Sequence, residues 1–460
     1  MLSESVLARA SAIVGEPYTK RDAVSLTAYG TDALNRPHDA DVVLLAGSAD
    51  EVAAVARLCH EQRIPLVVRG AGTGYSGGAV PTHGGIVLSL ERLNRILEID
   101  QENLLARVQP HVITGDLQDA VERVGLFFPP DPASLRRSAI GGNIAECAGG
   151  PRAFKYGTTR RYVLALDAVL PTGEIIRTGS KAVKNVVGYD LTQLLVGSEG
   201  TLAIITEATL RLVPKPLVQS TLRATFDGIA SAVRAVTALI HARVVPATIE
   251  LVDADCLAAV TDYLGAPMAP SGTGALLLIE VDGFAGGVAE EIARVEEACR
   301  SAGAQQILRA ANDAEREELW RVRRELSGAL QVISPIKFNH DVVVPRGRVP
   351  ELFALIARLT TTYRLRVPCF GHAGDGNIHV NIMVDPADTD GRSRAHAAEA
   401  ALFDGVVALE GSISGEHGIG FAKAAYLGVE LSSDEIALMK RIKTAFDPHN
   451  ILNPGKIFPE

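Results

Sequence analysis

A chain of 460 residues is too long for one ordinary core, so two or three domains are expected. Its 47% hydrophobic and 22% charged residues read as a soluble globular protein, and a formal charge of -9 leaves no basic footprint for nucleic acid. The five cysteines (Cys59, Cys147, Cys256, Cys299, Cys369) never form a Cys-x-x-Cys pair, which argues against a disulfide framework, a zinc ribbon or an iron–sulfur cluster. They read as reduced thiols of a cytosolic protein. The opening "MLSESVLARASAIVGEP" carries acids and lacks an apolar core behind a basic start, so it does not read as a signal peptide. No run approaches the roughly 18 apolar residues of a membrane span.

"DVVLLAG" (41–47) predicts a strand, and "SADEVAAVARLCHEQR" a helix opened by a capping box of Ser48 and Glu51. "IPLVVRG" returns to strand and completes a β-α-β unit. Short strands such as "VLALDAVLP" and "LAIITEATLRLVP" then alternate with loops rich in Gly and Pro up to Leu212. Pro214 and Pro216 cannot both sit inside a regular element, so a boundary is placed there, giving domains 1–217 and 218–460. Beyond it, helices ("SAVRAVTALIHAR", "AEEIARVEEACRSAG", "ELFALIARLTTTYR") alternate with strands ("ALLLIEVDG", "KFNHDVVVP", "GNIHVNIMV"), which predicts an antiparallel sheet backed by helices. The last segment reads as a helix stopped by Pro448 and an extended tail. The overall class is α+β.

"GTGYSG", Gly72 to Gly77, formally matches the dinucleotide pattern G-x-G-x-x-G. That motif needs its third glycine to open a helix, and Pro81, Gly84 and Gly85 forbid one here. What remains is a turn of closely spaced amides that can cradle a diphosphate; the alternative is a glycine loop without function. A second glycine-rich stretch runs from Pro129 to Tyr162, and a third, "GSEGTLAIITEATLRLVPKP", begins at Gly197.

With these three stretches in order, the chain resembles the flavoprotein family typified by vanillyl-alcohol oxidase and p-cresol methylhydroxylase. The resemblance is to the branch of D-lactate dehydrogenase, the D subunit of glycolate oxidase and D-2-hydroxyglutarate dehydrogenase, and it covers almost the whole chain. It implies a two-part FAD-binding domain of the p-cresol methylhydroxylase type and an antiparallel-sheet substrate (cap) domain. It further implies that Arg69, Gly70, Ala71, Gly72, Thr73, Ser76, Gly77 and Gly78 hold the FAD pyrophosphate. Asp131, Ser134, Ser138, Gly141, Gly142 and Asn143 would line pyrophosphate and isoalloxazine; Gly149, Gly150, Tyr156, Gly157, Gly200, Thr201 and Ile204 would pack their backbone on ribose and adenine. Cys147 stands where the family has Asn and Ala203 where it has Gly. "RGAGTGYSGG" holds no histidine, so non-covalent FAD is expected.

"GHAGDGNIHVN" reads as a turn into a strand on which Asn377, His379 and Asn381 share one face and Ile378 and Val380 the other. His372 precedes the turn, and "SGEHGIG" offers Glu416 and His417 as further polar groups. Two His and one Glu with an open position make a recognised zinc geometry that iron or manganese also accepts; hydrogen-bonded loop histidines are the alternative. The resemblance implies that His372, His379 and Glu416 bind a divalent metal, Zn2+ with Mn2+ or Fe2+ as alternatives. It assigns Asn381 to substrate and His417 as the base that takes the hydroxyl proton. Read bottom-up, Arg321, Arg323 and Arg324 form a solvated helix face; by resemblance Arg323, Ser327 and Lys337 grip the substrate carboxylate. The tail from about 412 to 460, with Asn453, would return to the flavin.

These readings converge on FAD-dependent oxidation of a D-2-hydroxy acid to the 2-oxo acid by hydride transfer to flavin N5. Without cluster cysteines or a second nucleotide fold, the electron acceptor is external: an electron-transfer flavoprotein, a quinone, a cytochrome or an iron–sulfur subunit. One rival is a non-catalytic FAD-binding subunit of a larger complex; a second is an oxidase or reductase acting on another substrate, such as a phenol, an aldonolactone or an alkyl ether lipid precursor, which the histidine loops disfavour. A cytoplasmic location is expected, with peripheral attachment to a membrane acceptor complex and a homodimer left open.

Overall fold

The structure, a computed structural model, describes residues 2–459. Two compact units emerge: one holds the chain up to Gly150, Gly157–Lys215 and the segment from Glu416 onward; the other holds Pro151–Tyr156 and Pro216–Gly415. The main cut falls between the paired prolines. Nothing in the sequence signals that Pro151–Tyr156 departs to the second unit. Among the described residues no helix is long and apolar enough to cross a membrane.

In the first unit, β1 (Thr19–Lys20), β2 (Val42–Leu45), β3 (Leu66–Arg69) and β4 (Ile86–Ser89) make a sheet ordered β1-β2-β4-β3. β2 and β3 both run parallel to β4, so the helix Ala49–Gln62 is the crossover of the expected β-α-β unit. That helix buries Val52, Val55, Ala56 and Cys59 against Leu44, Leu66 and Leu88, a helical apolar stripe meeting fully buried strands. Its cap differs from the expected box: Ser48 Oγ accepts from the Glu51 amide at 3.1 Å, but Glu51 reaches back to the Gly47 amide at 2.7 Å. A second sheet, β5 (Ile96–Asp100), β6 (Leu105–Val108), β8 (Val163–Val169), β9 (Ile175–Gly179) and β10 (Ile204–Arg211), is antiparallel in the order β5-β6-β10-β8-β9. β7 (Leu126–Phe127) and β11 (Val213–Pro214) form a short ribbon.

In the second unit seven antiparallel strands are ordered β15-β12-β14-β13-β17-β18-β16. They are β12 (Val218–Phe226), β13 (Thr248–Asp253), β14 (Ala275–Gly283), β15 (Gln306–Arg309), β16 (Ile336–Val343), β17 (Cys369–His372) and β18 (Asn377–Val384). One face packs Val252, Leu276, Leu278, Phe370 and Met383 against helices Ala254–Leu264 and Asp313–Ile333. The other meets the helix Gly391–Ala408, where His340 packs edge-on against Phe403. This is the sheet with backing helices that the alternation of strand and helix predicts.

Candidate active site

Register builds the site. Opposite each other stand Lys337 and Met383, Asn339 and Asn381, Asp341 and His379 across β16 and β18. Phe370 faces His379 and His372 faces Asn377 across β17 and β18, and Glu250 of β13 faces His372. Directly opposed residues share a face, so polar residues line one face of four adjacent strands, β13, β17, β18 and the edge strand β16. The expected division of Asn377, His379 and Asn381 from Ile378 and Val380 is what the ladder imposes. Gly376 ends the turn at φ 83°, and a Cβ there would lie 2.1 Å from the Val344 carbonyl, so the turn brings β18 back beside β17 only with glycine.

His372 and His379 are both buried, their rings crossing edge-to-face at 5.4 Å. His372 Nδ1 lies 2.5 Å from Glu250 Oε1, and the other Glu250 oxygen pairs with Arg323 Nε. Glu250 is fully buried; burial alone would push its carboxyl up, but His372 and Arg323 outweigh it and hold the group below the usual carboxylate range. The Arg323 guanidinium also sits over the Phe370 ring at 4.5 Å. At the end of the unit, Asp341 accepts the Gly415 amide at 2.9 Å and the Ser414 hydroxyl at 3.3 Å. Glu416 is bonded directly to that anchored glycine. Its carboxylate and the two imidazoles offer ligand atoms all within 4.8 Å of one another, which fits a divalent cation with two nitrogen donors and one oxygen donor.

The other residues expected at the substrate divide. Lys337 lies in the polar row, its pKa lowered by burial, and among the described residues no acid pairs with it. Ser327 sits one turn beyond Arg323 on Asp313–Ile333 and is exposed. Asn381 is fully buried and engaged within the sheet: its Nδ2 donates to Pro368 O at 3.2 Å, and its Oδ1 accepts from Asn339 Nδ2 at 3.0 Å. That fixes the amide of Asn339 and leaves Asn339 Oδ1 as a buried acceptor with no donor among the described residues.

In the first unit the glycine stretch 70–85 contains no helix, as Pro81 and its glycines require. Several residues expected to line FAD turn their side chains inward. Arg69 Nη1 donates to the carbonyls of Tyr29 at 3.2 Å and Thr31 at 2.5 Å, so its guanidinium braces the neighbouring loop. Phe421 occupies the place of a Gly77 Cβ, 2.1 Å away, and Ser76 is buried with its carbonyl on the Phe421 amide. Ser138 and Asn143 both bond Thr114 Oγ1, at 3.1 and 2.6 Å, and Thr201 Oγ1 donates to Ser198 O. Ile204 belongs to the apolar core. Tyr156 departs furthest: it is counted in the second unit and its hydroxyl donates to Asp282 at 2.7 Å. Gly150 packs on the Asp131 carbonyl and Gly141 on Pro110. Gly74 and Gly142, by contrast, have no atom within 4 Å of where a Cβ would stand. The tail runs beside β3, with the Asn453 amide on Leu66 O at 2.7 Å. His417 stacks on Tyr75 with ring centroids 5.3 Å apart, and two amides just beyond it, Ile419 at 2.7 Å and Gly420 at 2.6 Å, donate to buried Glu199.

Residues 40–179 match the model of the FAD binding domain, and residues 215–457, more than half of the chain, match that of FAD linked oxidases, C-terminal domain. The chain belongs to the FAD-linked oxidases. This FAD-linked oxidase is 44% identical over 418 residues to the glycolate oxidase subunit GlcD of Bacillus subtilis (strain 168), covering 91% of this chain and 89% of that one. It is 38% identical over 424 residues to the D-lactate dehydrogenase of Anaerostipes hadrus, covering 91% and 89%. Its fold is that of p-cresol methylhydroxylase with substrate bound, at a TM-score of 0.82 and 19% identity over 99% of this chain and 96% of that one. These relatives place the oxidase in the 2-hydroxyacid branch of the vanillyl-alcohol oxidase/p-cresol methylhydroxylase family, as the ordered loops imply.

The oxidase's own residues fit a flavin nucleotide. Asn453 Nδ2 is spent on the carbonyls of Gly78 at 3.0 Å and Glu199 at 2.8 Å, which leaves Asn453 Oδ1 a buried acceptor with no donor among the described residues. A flavin N–H or a ribityl hydroxyl would supply one. Sequence reasoning missed Glu250, Asp341, Asn339 and Glu199. The alternation Lys337, Asn339, Asp341 signals two of them; Glu250 and Glu199 lie far along the chain from the motifs they serve and carry no local signal.

Proposed function

We propose that this FAD-linked oxidase converts a D-2-hydroxy acid of the lactate, glycolate or 2-hydroxyglutarate class to its 2-oxo acid. The observation that carries this reading is the cluster of His372, His379 and Glu416, whose donor atoms fall within 4.8 Å. Bound non-covalently, FAD supplies the hydride acceptor, and a divalent metal, Zn2+ with Mn2+ or Fe2+ as alternatives, supplies Lewis acidity at the substrate hydroxyl. Arg323, with Nε held by Glu250, turns its terminal nitrogens to the substrate carboxylate, and Lys337 adds a second cation. Ser327 and Asn339 offer polar contacts beside them. His417 takes the hydroxyl proton, a task suited to an imidazole near neutral pH. The first unit holds the flavin through the loops at 69–78, 131–150 and 197–204 and through Asn453. Electrons leave to an external acceptor, and the relatives named as a glycolate oxidase subunit support a partner chain in that role.

Anaerobic bleaching of the flavin by D- and L-lactate, glycolate, D-malate and D-2-hydroxyglutarate, before and after chelation, tests the reading. Fast bleaching by a D-acid, lost on chelation and restored by zinc or manganese, is expected. A fully loaded flavin that every acid leaves oxidised would overturn it and favour a non-catalytic FAD-carrying subunit.

A further inference from the structure

We propose that Glu250 is a positioning residue shared by the metal centre and the carboxylate grip: one oxygen orients His372 as a ligand and the other aims Arg323 at the substrate. The inference rests on the metal reading above and adds to it a residue far from any of its motifs. Glu250 stands in the centre of the cap sheet, directly across the ladder from His372, with 0% of its surface exposed. Water cannot solvate its charge there, so two buried partners must. They are His372 Nδ1 at 2.5 Å and Arg323 Nε.

Each contact has a chemical consequence. A carboxylate can only accept, so Nδ1 of His372 carries the proton and Nε2 keeps the lone pair that a metal needs. Arg323 spends Nε on Glu250 and rests over Phe370 at 4.5 Å, which leaves Nη1 and Nη2 side by side as a fork for a second carboxylate. Substrate carboxylate and metal ligand are thereby set by two oxygens of one side chain. A purely structural ion pair would contribute stability alone; a positioning residue alters zinc affinity and KM in a protein that is still folded.

The test uses the FAD-loaded full chain, stripped of metal by a chelator and titrated with Zn2+ against a competing indicator. Glu250→Gln should weaken zinc binding by roughly 10- to 100-fold while FAD content stays close to that of the parent; the melting point in chelator falls, because Arg323 loses its buried partner, but the chain stays folded. At saturating zinc, KM for whichever hydroxy acid bleaches the parent flavin should rise about tenfold, with kcat changed less. Zinc affinity and KM both within twofold of the parent would overturn the proposal. Should Glu250→Gln not fold, Glu250→Asp is read by the same criteria. The parent gives a reading free of substitutions: 15N spectra of zinc-free protein should show His372 protonated on Nδ1, and the Nε2-protonated tautomer would overturn the assignment. If the parent binds no Zn2+ or Mn2+ at all, the metal reading fails with it; if only the variant is unaffected, the coupling through Glu250 fails alone.

Discussion

In the glycine-rich loops of the first unit the polar side chains are turned on their own neighbours, Ser138 and Asn143 on Thr114 and Arg69 on the carbonyls of Tyr29 and Thr31. On the sheet face of the second unit His372 and Glu250 form a row that Arg323 joins from the helix Asp313–Ile333, with Asn339 Oδ1 and the Lys337 ammonium lacking partners of opposite kind among the described residues. A flavin nucleotide is long and rich in acceptors, and closely spaced backbone amides suit its phosphates. A small acid must instead be gripped by fixed side chains, because it offers few atoms to hold. The two regions should therefore fail in different ways when changed.

The largest effect is expected in the row. His379→Ala removes one of three donors and should abolish tight zinc retention and slow flavin reduction by about 10²-fold or more, checked by metal analysis and anaerobic stopped flow. His417→Ala should slow reduction by roughly 10²-fold while FAD and zinc remain bound, since the imidazole is needed for the proton alone. Unchanged reduction would remove it as base. Arg323→Lys keeps the charge but loses the fork, and KM for the hydroxy acid should rise about tenfold.

In the first unit the backbone is the sensitive part. Gly77→Ala sets a methyl 2.1 Å from the Phe421 ring at φ 79°, and a loss of about 1–3 kcal/mol in stability with looser FAD is expected. Phe421→Leu in the same chain should restore part of it. The smallest effect concerns Asp32, whose carboxyl is pushed up to about 6 by burial, with the Leu34 amide and Arg69 opposing. The folded state then holds the proton more tightly than the unfolded one. The stabilisation is complete below the ordinary value of 3.8 and is lost as pH rises through about 6. Asp32→Asn should melt about 2–4 °C higher than the parent at pH 8 and no higher at pH 4.

Much of this was legible along the chain, because the signals are local. Periodicity marked the strands and helices on both sides of Pro214 and Pro216, and Pro81, Gly84 and Gly85 ruled out a helix after the glycine loop from their own backbone constraints. The faces of β18 followed from the period of a strand, which no tertiary contact can change. Three placements needed the folded chain. Tyr156 left the loops it was grouped with and bonded Asp282, which lies 126 residues away. Asn381 was absorbed by Asn339 and Pro368, because which carboxamide is satisfied depends on the register of β16 against β18. Glu250 met His372 across 122 positions, a pairing created only when β13 and β17 become neighbours. Residue types and spacings along one strand are properties of the sequence; which buried charge answers which is decided by strand order, and strand order exists only in the assembled sheet.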